Sequence, residues 1–288
     1  MKLTIGHTPD TDDAFMLHGL LAGKVDCEGL EFRQVVEPIA VLNRKAPQGE
    51  LHVTALSVGA VPTAANRYEL LTAGACAAMG ESFSGPLLVQ RWEKLPPKVA
   101  VPGLETTGHL AARVFAGDFE PVVMSFSEIL PAVTEGRIGA GVLISEDQYR
   151  VKGLGLKVVD LGAICLEKLG APLFLGVDAV RSDLPGDVRL AVDRVFRRSV
   201  QYALEHEEEA LDAAMQYARG LDRETVRGFV KAYVGVHTVH LGAAGCEAIR
   251  RFLRLASLRG LVCDHCEARF VGDKPLEEPA HQELHDPH

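Results

Sequence analysis

Apolar and polar positions follow two rhythms along the chain. Up to about residue 185, short apolar runs alternate with stretches of helical period. Strands are predicted at 3–6, 31–37, 51–58, 85–92, 98–103, 121–126 and 139–145, and helices at 14–21, 39–46, 106–117 and 129–137. The segment "EFRQVVE" at 31–37 alternates as a half-buried strand does. "TTGHLAARVFAG" reads as a helix with Thr106 or Thr107 as N-cap and Gly117 as its stop. Beyond residue 185 the pattern is helical only. Val188, Ala191, Val192, Val195, Phe196, Ser199, Val200 and Ala203 make one stripe at three-and-four spacing, and further helices are predicted at 222–234 and 246–261.

Strands that alternate with helices predict an α/β fold with mixed, largely parallel sheets. Pro-rich "EKLPPK" after Trp92, and Gly170-Ala171-Pro172, read as crossings between two lobes. One lobe is then residues 1–92 rejoined by 176–262, and the other is 93–175, with a ligand cleft between the strand ends. The stretch 263–288 is acidic and lacks an apolar period, so it is expected to be poorly ordered.

Composition narrows the function. The chain has 288 residues, 47% of them hydrophobic, enough for a full core. A net charge of -9 disfavours nucleic acid or an anionic membrane as partner, though not a small anion met by local donors. No signal-like N-terminus and no run of about 20 apolar residues is present, and six cysteines are too sparse for a disulfide framework. These features are those expected of a cytoplasmic protein; the further expectations are a monomer or weak homodimer and no cofactor.

Four polar segments fall where strands end: His7 to Asp13, Thr54 to Ser57, Glu105 to His109, and Ser145-Glu146. Ligands of open α/β sheets bind outside the carboxyl ends of strands. The helix start at Thr106, Thr107 and Gly108 offers backbone N–H groups and hydroxyls to an anion, unless it is an ordinary cap. Ser57 either donates to a ligand or caps the next turn. His109 reads as a solvated first-turn histidine. His7 is the better base, because it closes a strand at the cleft. Asp10, Asp12 and Asp13 lack the spacing of a calcium loop and read as capping and shaping a proline turn. Cys263 and Cys266 resemble half of a zinc site that His281 and His285, at i, i+4 spacing, could complete, but they lie in a polar tail and a second cysteine pair is missing. Nucleophile-elbow, phosphate-loop and dinucleotide motifs are absent.

"HTPDTDDAFM", "LNRKA", "TALSVGA", "VAVPGLETT", "ILPAVTEGRIGAGVLISE", "VVDLG" and "RRSVQYALEHEEEAL" occur in this order. With these segments the chain resembles the 1,4-dihydroxy-6-naphthoate synthase family of the futalosine route to menaquinone, over roughly residues 1–260. The resemblance implies a fold like that of type 2 periplasmic binding proteins. It implies a lyase that releases the dihydroxynaphthoate from cyclic dehypoxanthine-futalosine. It further implies substrate contacts at Ala55, Leu56 and Ser57, and at Thr106, Thr107 and the residues after them, with Asp12 and Glu146 in the same cleft. The lysine common before Leu-Ser in the family is Ala55 here. The family's proposed proton acceptor, a histidine in an Ile-His-Glu run, is Ser145 in Ile144-Ser145-Glu146. Serine is a poor base at neutral pH, so His7 is the sequence candidate for a displaced base. Against the lyase stand a non-catalytic protein binding a small aromatic or carboxylate ligand, and a related dehydratase of the same pathway.

Overall fold

The computed structural model describes residues 1–77, 85–144, 147–263 and 267–273. Among them, eleven strands build two sheets. They are β1 (Lys2–His7), β2 (Glu31–Val36), β3 (Val53–Ser57), β4 (Tyr68–Leu70), β5 (Cys76–Ala77), β6 (Leu87–Gln90), β7 (Lys98–Val101), β8 (Glu120–Val123), β9 (Ala140–Leu143), β10 (Lys157–Asp160) and β11 (Phe174–Arg181). The first sheet runs β2-β1-β3-β11-β4, with β5 also on β11; the second runs β10-β6-β9-β7-β8.

The α/β prediction holds, and the sheets are mixed. β1 pairs parallel with β2 and β3, and β7 pairs parallel with β8 and β9. The reversed strands are β11 in the first sheet, antiparallel to β3, β4 and β5, and β6 in the second, antiparallel to β9 and β10. β6 and β11 are the strands with which the chain enters each sheet after leaving the other, so their direction opposes their neighbours'.

Strand β6 places the first crossing between Ala77 and Leu87, earlier than the break expected at residue 92. The prolines of "EKLPPK" instead turn the chain between two strands of the second sheet. A pair of prolines favours a turn or strand end, so it marks a sharp connection without telling which. The stretch after 263 also departs from expectation. Ala268, Phe270 and Val271 are buried, and Arg250 lies over the Phe270 ring while pairing with Asp273 at 2.6 Å. Residues 264–266 and 274–288, with Cys266, His281 and His285, lie outside the described residues.

Helix Gly186–Glu205 covers the first sheet with the stripe read from the sequence: Val192, Val195 and Phe196 meet Leu3, Ile5 and Val53. Ser199 locks this helix to the first βα connection, donating to the Met16 carbonyl at 2.7 Å and accepting from the Leu20 N–H at 2.9 Å. Helix Phe126–Thr134 starts three residues before its apolar pattern, because Ser125 and Glu128 form a capping box.

Candidate active site

One cavity of about 230 Å³ opens between the sheets, at the carboxyl ends of β1, β3, β7 and β9. Its size suits a small ligand, below the roughly 300–1,000 Å³ of larger pockets. Its lining has two chemically different parts.

The first wall donates. The Ser57 hydroxyl accepts from the Asn43 side-chain amide at 3.0 Å, and Asn43 in turn accepts from the Ser57 N–H at 2.9 Å. This grip fixes the rotamer of Ser57 and leaves its O–H free to donate. Beside it begins helix Thr107–Ala116, capped by Thr106, whose hydroxyl donates to the Gly103 carbonyl at 2.8 Å and receives the His109 N–H. The N–H groups of Thr107 and Gly108 have no partner inside the helix, and a carboxylate at this point is favoured by them and by the helix dipole.

The second wall is acidic. Asp12, Asp13, Asp178 and the Cys76 thiol all line the cavity. Asp13 accepts from the Thr8 N–H at 2.7 Å and the Thr8 hydroxyl at 2.8 Å, which shapes the loop after β1. Asp10 starts the following helix without capping it, and pairs with Arg219 at 2.7 Å on the cavity rim. Burial, then the charges of Asp13 and Asp10, pushes the Asp12 carboxyl well above the carboxylate range. Burial does the same to Asp178, with Asp13 and Asp12 adding to it, and burial also raises the Cys76 thiol. Apolar side chains of Ile39, Leu56, Phe126, Ile144 and Phe229 fill the walls between the two ends.

The structure sorts the residues expected from the sequence. Asp12, Ala55, Leu56, Ser57, Thr106 and Thr107 line the cavity together. His7 does not. Its ring is buried, with Nδ1 at 3.0 Å from the Thr8 carbonyl and Nε2 at 3.1 Å from Gln34 Oε1, so it is a packed strand-end histidine and not a displaced base. His109 turns away too, its Nδ1 on the Leu104 carbonyl at 2.7 Å and its ring edge-on to Phe119. Gly108 is not among the lining residues and packs under Ile144 and Val142, which a Cβ there would meet. The Thr107 hydroxyl is committed elsewhere, donating to the Leu175 carbonyl at 2.5 Å and accepting from the Gly59 N–H at 3.0 Å. Ser145 and Glu146 lie outside the described residues, although Ile144 just before them lines the cavity. Asn43, Cys76, Asp178 and Arg219 had drawn no expectation. Among the described residues, no group of three or more His, Cys, Asp or Glu side chains is arranged to hold a metal ion.

A family model described as menaquinone biosynthesis matches residues 3–258. The chain belongs to this menaquinone-biosynthesis family. It is 37% identical over 275 residues to the 1,4-dihydroxy-6-naphthoate synthase of Thermus thermophilus, covering 93% of this chain and 99% of that one. It is 31% identical to the enzyme of the same name from Streptomyces coelicolor, over 90% of this chain and 94% of that one. A crystal structure of an Archaeoglobus fulgidus protein superposes with a TM-score of 0.83 at 38% identity, covering 91% of this chain and 98% of the other. The periplasmic aliphatic sulphonate binding protein of Escherichia coli shares the fold alone, with a TM-score of 0.60 at 14% identity over 98% of both chains. The menaquinone-biosynthesis chain thus carries a binding-protein architecture. No helix among its described residues is long and apolar enough to cross a membrane.

Proposed function

We propose that this chain is a 1,4-dihydroxy-6-naphthoate synthase, releasing that naphthoate from cyclic dehypoxanthine-futalosine. The observation that carries the reading is the donor wall, in a chain 37% identical to an enzyme of that name. The aryl carboxylate sits at the Ser57 hydroxyl and the N–H group of Thr107. The fused rings lie between Ile39, Leu56, Phe126, Ile144 and Phe229. The dipole at the helix start offsets the chain's net negative charge locally. No cofactor enters this reading.

Incubating the purified protein with cyclic dehypoxanthine-futalosine and following naphthoate release by chromatography tests it. Turnover is the expected result. Binding of the naphthoate without turnover of the cyclic substrate would overturn the reading in favour of a non-catalytic carboxylate-binding protein.

A further inference from the structure

Asp178 stands in the apolar strand "FLGVDAVR" and is 5% exposed, yet it lines the cavity. Among the described residues, no hydrogen bond or ion pair satisfies its carboxyl. An ionised carboxylate stripped of water and left without donors is strongly disfavoured. Asp12 and Asp13 make ionisation harder still, so the group is held as a neutral acid.

The fold makes room for this group. Gly74 lies beneath it at φ +87, and a Cβ there would collide with the Asp178 carboxylate. Across the sheet Asp178 is directly opposite Ala55, whose methyl cannot pair with it, while Gly176 is opposite Ser57. Side chains two residues apart on a strand share a face, so Ser57 and Asp178 look into the same cavity, about 7 Å apart along the sheet. A rigid bicyclic acid gripped at Ser57 by its carboxylate therefore presents its far, oxygen-bearing end to Asp178.

We propose that Asp178 is a proton donor in the reaction, acting on the substrate oxygen remote from the aryl carboxylate. This rests on the synthase reading above. The carboxyl O–H bond breaks and leaves its electron pair on Asp178. A new O–H bond forms on the substrate oxygen with the pair of the C–O bond that breaks, while the pair of a neighbouring C–H bond closes a C=C bond at the carbon left behind and the proton of that C–H bond passes to water. Water returns a proton to Asp178 before the next turnover.

The test compares the wild type with Asp178→Asn and Asp178→Glu, by kcat against pH and by calorimetric affinity for 1,4-dihydroxy-6-naphthoate. Asp178→Asn should lose about 10²–10⁴-fold in kcat while its naphthoate affinity falls far less. Asp178→Glu should recover part of the rate. Wild-type kcat should fall on the alkaline side, and the residual Asp178→Asn rate should lack that limb. Wild-type kcat in Asp178→Asn overturns the proposal and leaves the synthase reading standing. So does a loss of naphthoate affinity that matches the loss of rate, since that marks a structural role. A wild-type protein that binds the naphthoate but never turns over the cyclic substrate overturns the synthase reading, and the role of Asp178 with it.

Discussion

The Thr107 hydroxyl donates to the Leu175 carbonyl at 2.5 Å, bringing the first helix of the second sheet onto β11, the strand by which the chain returns to the first. The same oxygen accepts from the Gly59 N–H. One buried hydroxyl thus ties both flanks of the cleft. Close approach reinforces it, because a Cβ on Gly59 would lie 2.9 Å from the Thr106 carbonyl.

Thr107→Val should therefore act on stability. It keeps the shape of the side chain and strands a buried carbonyl and a buried N–H, at a cost of about 1–3 kcal/mol. Urea unfolding of the two proteins measures this. A midpoint equal to the wild type's would show that water replaces the hydroxyl.

Ser57→Ala should act on the ligand. It removes the donor that Asn43 holds in place while leaving β3 buried and paired. Loss of a hydrogen bond to a charged group costs about 1.5–3 kcal/mol, roughly 10- to 150-fold in Kd. Calorimetry with the naphthoate should show that loss, and Asn43→Ala should show a smaller one, since the serine then keeps its hydroxyl but not its orientation. Full affinity in Ser57→Ala would remove this wall from the carboxylate site.

Stability should fall as pH rises, on account of the acid wall. Asp12 and Asp178 hold their protons in the folded chain above the ordinary carboxylate value of 3.8. The folded state binds more protons than the unfolded one from that pH upward. The stabilisation is full below 3.8 and is lost as pH climbs through the folded values. Asp178→Asn should then raise Tm at neutral pH, by roughly 2–4 °C for each kcal/mol relieved, and the gain should shrink as pH falls toward 4. A pH-independent Tm difference would contradict this assignment.

Periodicity and caps carried the fold. The helix at 107–116 was legible because Thr106 and Gly117 bound it, and the stripe from Val192 to Val200 because it repeats at helical spacing. Ser57, Thr106 and Asp12 reached the cavity because polar residues after strands gather where strands end. What failed was direction. Sequence places His7 at a strand end, but only the packing turns its ring toward Gln34. Thr107 reads as a ligand donor until Leu175, 68 residues away, claims its proton. Asp178 did leave a signal, a lone acid within an apolar strand, and acids are almost never fully buried without a partner. That signal points to a site, though nothing in the sequence says which neighbours surround it.

The short return at 267–273 has a further consequence. Leu70 donates to the Arg269 carbonyl at 2.8 Å, and Val271 donates to the Leu70 carbonyl at 2.9 Å, so this segment occupies the free flank of β4. An unpaired strand flank is a template on which another chain can add itself. Here the protein fills that template with its own last described residues. A chain cut after Val262 would keep every cavity-lining residue while opening that flank to its copies, and should self-associate with its cavity intact.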